Sequence, residues 1–258
     1  MIVFQTIRIN ARRNLQTINH HLYDNYVTRE KGKAKAMPSR PICLFCAADK
    51  DITAEHVLPK WVFEKNPHRF FTTQINNLSH KYISSTIPVC ATCNNDLLSE
   101  LEKKVQKLFL SHQKMGRFFN EEETEDIIRW LEILDYKYQA FSLMTKFSVL
   151  KRKGPIDFLT DYSLSVLDPN IEYSPRSATK NIREALARIT VKSKQKNLYS
   201  LVIFKTHNPD FYFSHKNNDF LFLDLPRYNL ALFYFYKKLF AEAVHSKDAA
   251  MEILSRVY

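Results

Sequence analysis

The chain has 258 residues, 45% of them apolar and including 13 Tyr and 19 Phe, a composition that buries a core and excludes a disordered chain. Its formal charge of +11 suits a polyanionic partner, and only 3 glycines exclude a glycine-rich phosphate loop. No run approaches the roughly 18 apolar residues of a membrane span, and MIVFQTIRIN does not read as a signal peptide, so a reducing cytoplasmic setting is expected.

Residues 1–40 read as a leader. An irregular helix is expected first, followed by TREKGKAKAMPSR, a basic linker that ends at Pro38 and Pro41. Eight Lys and Arg stand against two acids here, so the leader holds more than half of the net charge and could serve as a phosphate-contacting arm or a solvated tether.

Residues 41–115 carry all 4 cysteines. Short strand-like runs, DITAEHVLP, RFFTTQI and KYISSTIPV, alternate with polar turns. After Cys93 the pattern turns helical, with Leu97, Leu98, Leu101, Val105, Leu108 and Phe109 on one face. On that helix Lys103, Lys104 and Lys107 form a basic stripe, either phosphate-contacting or simply solvated.

Residues 116–258 open with NEEETEDIIRWLEILDYKYQAF, in which Asn120 and Glu123 form a capping box and acids fill the first turn. Ile127, Leu131, Leu134, Tyr138 and Phe141 make the apolar stripe of that helix. A second helix is expected over SATKNIREALARI. LYSLVIFKT, DFYFSHK and DFLFLDL then read as strands with KNN as a turn, and SKDAAMEILSRVY as a closing helix. The aromatic strands suit a sheet core better than a base-stacking platform.

The cysteines form two pairs, Cys43-x-x-Cys46 and Cys90-x-x-Cys93. Each such turn aims two thiolates at one point, and two turns complete a closed tetrahedral zinc site that holds the fold and does no chemistry. The alternatives are two separate reduced pairs or two disulfides; disulfides fit a reducing compartment poorly, and a thioredoxin-type redox pair needs a βα context at each motif. Between the pairs lies ITAEHVLPKW, where Glu55 and His56 sit side by side, and Asn94 follows the last cysteine directly.

That order, EHVLPKW between the pairs and then PVCATCNNDLLSELE, resembles the HNH endonuclease family in its zinc-ribboned form, over roughly residues 41–105. The resemblance implies a zinc-bracketed ββα-metal nuclease domain within an α+β chain; residues 116–258, read as a mixed α/β C-terminal domain, carry no such motif, and could recognise DNA, bind a partner or hold the nuclease inactive. It implies His56 as general base, Glu55 and Asn94 (or Asn95) as ligands of one catalytic Mg²⁺ or Mn²⁺, and structural Zn²⁺ on Cys43, Cys46, Cys90 and Cys93. An imidazole titrating near neutrality suits the base role, since it can take a proton from the attacking water. Lys60, with the lysine stripe, would contact the phosphates, and Trp61 would pack beneath the loop.

The implied substrate is DNA, with RNA left open, and the family's spread suggests mobile elements or defence against phage. A regulatory protein partner is a further expectation. Strand alternation turns Glu55 and His56 to opposite faces, so a distorted strand is needed for both to serve one site. Ser85 stands where the family keeps the Asn that orients the histidine; its hydroxyl, a backbone carbonyl, Asn76 or Asn77 could replace it. His68 and His80 are further ligand or surface candidates. The alternative function is a zinc-ribbon module that binds nucleic acid or protein without cutting.

Overall fold

The structure, a computed structural model, describes residues 2–27, 40–63, 70–72, 79–116, 118–153, 175–191, 196–216 and 219–257. Most of the basic linker, together with His68, Asn76, Asn77 and the Asn217–Asn218 turn, lies outside the described residues.

The N-terminal segment forms a helix, α1 (Ile2–Leu22), that continues as a π-helical turn over Tyr23–Val27. Phe4, Ile7, Ala11, Ile18 and Leu22 recur at helical spacing and are buried. The helix is therefore part of the core, and the Arg129 guanidinium lies 4.0 Å above the Phe4 ring.

Between the cysteine pairs, β1 (Ile52–His56) is followed by the short helix α2 (Lys60–Phe63), β2 (Phe70–Thr72), β3 (Ser79–Lys81) and β4 (Thr86–Cys90). β1 pairs antiparallel with β4, from Ile52 opposite Cys90 to His56 opposite Thr86, and β2 pairs with β3. After β4 the chain winds through a π-helical turn, Thr92–Leu98, into α3 (Ser99–Met115). Gly116 ends α3 at φ 63, a left-handed conformation that glycine adopts without strain.

The helix α4 (Glu121–Lys153) starts on the expected capping box. The Glu123 N–H donates to Asn120 Oδ1 at 2.9 Å, and the Asn120 N–H donates to Glu123 Oε2 at 3.0 Å. Every residue from Asp126 to Leu143 is buried, so α4 is a central post with no solvent face over that length. Its charged side chains are accordingly paired. Asp135 accepts from Arg188, from His215 Nε2 at 2.6 Å and from Gln139 at 2.7 Å; Glu132 accepts from Lys196 and from the Tyr234 hydroxyl at 3.0 Å.

α5 (Pro175–Ile189) packs on α1 and α4. An all-antiparallel sheet follows, in the order β5 (Leu201–Lys205), β8 (Leu230–Phe235), β7 (Phe220–Leu225), β6 (Tyr212–Lys216). Alternation divides its strands cleanly. Leu221, Leu223, Leu230 and Leu232 join the main core, while Phe220, Phe222, Phe233 and Phe235 face α6 (Ala243–Val257) and pack with Ala250. The aromatic strands are thus sheet core. The strand absent from the sequence reading is β8, whose apolar run LALFYF has no period to betray it because both of its faces are covered.

The chain is α+β, and one main core gathers residues from α1, the cysteine-bearing segment, α3, α4, α5 and the inner sheet face. No helix among the described residues is long and apolar enough to cross a membrane.

Candidate functional site

The four cysteines converge at one end of the β1–β4 hairpin. All four Sγ atoms lie within 4.8 Å of one another, and none forms a disulfide. Cys46 and Cys90 approach to 3.6 Å; a tetrahedral ion with roughly 2.3 Å bonds to sulfur needs sulfurs about 3.8 Å apart. Two turns hold them. The Phe45 N–H donates to Cys43 Sγ at 3.4 Å and the Cys93 N–H to Cys90 Sγ at 3.5 Å. The first turn closes through Ala47, at φ 60, whose N–H donates to the Cys43 carbonyl at 2.8 Å.

Crowding divides the thiols electrostatically. A hydrogen bond from Cys93 pulls Cys43 down to about 5, against burial, whereas burial and the neighbouring Cys43 push Cys46 up to about 12. The hydrogen bond to Cys43, followed by burial, raises Cys93 as well. A cation at the centre relieves this conflict and lets all four act as thiolates, so the cluster fits a metal ion. α4 braces it: the Tyr136 hydroxyl donates to the Leu44 carbonyl at 2.6 Å, and the Tyr136 ring packs edge-on against Phe45 at 5.4 Å.

His56 sits at the opposite end of β1, about 13 Å along the strand from Ile52 at the usual rise per residue. It is half-buried, and its Nε2 lies 3.1 Å from the Ile83 carbonyl. A carbonyl only accepts, so Nε2 carries the proton and Nδ1 keeps its lone pair. The expected orienting group is thus a backbone carbonyl. Ser85 is buried and serves the loop instead, its hydroxyl donating to the Lys81 carbonyl at 2.8 Å and its own carbonyl accepting from Val57 at 2.9 Å. The Phe63 ring lies 6.4 Å from the imidazole. Burial first, then the Lys60 ammonium, lower the His56 pKa below its ordinary value, with Glu55 acting in the other direction. Lys60 itself is exposed.

Glu55 goes the other way. β1 is regular, with Glu55 opposite Ile87 and His56 opposite Thr86, so the two side chains take opposite faces. The buried Glu55 carboxylate accepts from Lys137 Nζ at 2.6 Å, and the same ammonium reaches Glu102 of α3 at 3.2 Å. Burial alone would lower the Lys137 ammonium, but Glu55 and Glu102 more than offset it and hold it above its ordinary value; burial raises the Glu102 carboxyl. Asn94 is half-buried, and its Nδ2 donates to Thr53 Oγ1 at 2.9 Å, on the Glu55 face of the strand; Asn95 is exposed.

The structure therefore brings Glu55 and Asn94 to one face and His56 to the other. A divalent ion bound at Glu55 does not fit this arrangement, because the carboxylate already carries an ammonium and turns away from the imidazole. The lysine stripe is largely neutralised: Lys103 pairs with Glu100 at 2.9 Å and Lys104 with Asp126 at 2.5 Å, while Lys107 is exposed. Trp61 is packing, as expected, stacked on Trp130 at 5.5 Å and edge-on to Phe109 and Tyr228. His80 packs edge-on against Phe141. Sequence reasoning missed Lys137, 82 residues from its partner, and Glu102, which the helical face after Asn94 could have suggested.

The chain matches no protein-family model, no curated protein and no solved structure.

Proposed function

We propose that this chain is an endonuclease of the HNH type, hydrolysing phosphodiester bonds of DNA with His56 as general base, on a scaffold held by a structural Zn²⁺ at Cys43, Cys46, Cys90 and Cys93. The observation that carries the reading is His56 itself: an accessible imidazole at a strand end, with Nε2 lodged on the Ile83 carbonyl and a lowered pKa that keeps Nδ1 free at neutral pH. Nδ1 takes a proton from water as the water oxygen attacks phosphorus. The bond to the 3′ oxygen breaks, and that oxygen leaves with a proton from solvent. The Lys60 ammonium, close enough to act on the imidazole, offsets charge growing on the phosphate. No step is assigned to a divalent ion at Glu55, which the Lys137 ammonium already holds.

One observation favours a second reading, a zinc-ribbon module that binds nucleic acid or protein without cutting: the commitment of Glu55 to Lys137. Supercoiled plasmid separates the two. Full-length protein is incubated with and without Mg²⁺ or Mn²⁺, beside a His56→Ala variant. Nicking that disappears in His56→Ala supports the nuclease. Retardation of DNA on a gel with no cutting by either form replaces it with the binding module.

A further inference from the structure

The resemblance names Glu55 as the residue a divalent ion would seek, and the structure puts an ammonium there. We infer that Lys137 is the resident cation of this site: it takes the place of the divalent ion at Glu55 and withholds that carboxylate from metal. The inference deepens the nuclease reading, on which it rests for treating Glu55 as the metal-seeking residue.

Three observations carry it. The ammonium is seated, at 2.6 Å from Glu55 Oε1 and 3.2 Å from Glu102 Oε1, with its side chain wholly buried. It cannot swing out to water, because it projects from the stretch of α4 that is buried on all sides, next to Tyr136, whose hydroxyl is fixed on the Leu44 carbonyl. And the two cations exclude each other. An Mg²⁺ at its usual 2.0–2.1 Å from Glu55 Oε1 would lie within about 5 Å of the ammonium, with three positive charges against two carboxylates in a buried space.

Lys137 also joins three elements that are far apart in sequence: β1 through Glu55, α3 through Glu102, and α4 through itself. A divalent ion could make the first two of these links, but α4 would then contribute nothing. In this chain the central helix supplies the cation, so the electrostatics of the hairpin are set by a residue outside the motif-bearing segment. That makes Lys137 a positioning residue: it neutralises and fixes Glu55, and through Glu55 the strand that presents His56.

Mn²⁺ uptake by zinc-loaded, full-length protein tests this, with the electron paramagnetic resonance signal of free Mn²⁺ as readout. Wild type and Glu55→Gln should bind the same amount of Mn²⁺. Lys137→Met, close in volume and uncharged, should gain one site at least tenfold tighter than any in wild type, lost again in Lys137→Met/Glu55→Gln. Lys137→Arg should behave as wild type.

A wild-type Mn²⁺ site that Glu55→Gln abolishes overturns the inference, as does a folded Lys137→Met that gains no site. Should Lys137→Met fail to fold, the comparison of wild type with Glu55→Gln still decides. Plasmid cutting is read separately. Glu55-dependent uptake by Lys137→Met, with no cutting by any form, sinks the nuclease reading and leaves the role of Lys137 standing.

Discussion

Replacing Glu55 by Gln keeps its shape and removes one charge from the group of two carboxylates around Lys137. Full loss of a buried ion-pair partner costs about 3–5 kcal/mol, and a hydrogen bond to a charged group about 1.5–3 kcal/mol. Because Lys137 keeps Glu102, and a Gln amide oxygen still accepts weakly, the lower range applies and about 2 kcal/mol is expected. For a chain of this size about 1 kcal/mol moves the melting temperature by roughly 2–4 °C, so Glu55→Gln should melt about 4–8 °C below wild type. The assay is thermal unfolding by far-ultraviolet circular dichroism on zinc-saturated protein, with urea denaturation as a second measure. Glu102→Gln, at the longer contact, should cost less, and Lys137→Met, which strands both acids, should cost most. An unchanged or higher melting temperature for Glu55→Gln refutes the reasoning, because a carboxylate strained in readiness for a metal is relieved by losing its charge, whereas a paired one is not.

Zinc bound at the four cysteines should be released stoichiometrically, one ion per chain, by a thiol-modifying reagent in a metal-indicator assay, and Cys93→Ser should bind it more weakly; release of none refutes the site. In the proposed nuclease His56, as general base, would work only when neutral, and its pKa is lowered. Activity should therefore rise with pH below 6.5 and be flat at pH 7. Lys60→Met, which removes a lowering influence, should move that acid limb to higher pH; an unmoved limb in a pH–rate profile argues against Lys60 beside the imidazole. Asp135→Asn takes away the charge facing Arg188 and should cost about 3 kcal/mol in urea unfolding, partly restored by adding Arg188→Met. Strict additivity of the two would show that they do not interact.

Local signals made much of the fold legible. The Asn120–Glu123 box marked the start of α4, the Cys pairs bracketed the hairpin, and Leu101, Val105 and Phe109 marked the buried face of α3. Alternation also foretold that Glu55 and His56 would part, and the strand is undistorted. What stayed hidden was long-range. Nothing in the sequence singled out Lys137, because the stripe from Ile127 to Phe141 hides that the other faces of α4 are buried too. The carbonyl that orients His56 belongs to Ile83, and a backbone group carries no side-chain signal.

The enclosure of α4 bears on what can be inherited or transplanted. Its adjacent residues look in different directions, Tyr136 and Lys137 to the cysteine-bearing segment and Asp135 to His215 of the sheet. A segment excised at residue 115 would therefore leave behind the hydroxyl that braces its first cysteine turn and the ammonium that neutralises Glu55, both on a helix that stays with the sheet. The motif-bearing stretch is thus not a detachable cassette to be grafted onto another protein. Evolution must carry it together with the post it leans on, and a substitution on that helix is felt at the hairpin and at the sheet in the same generation.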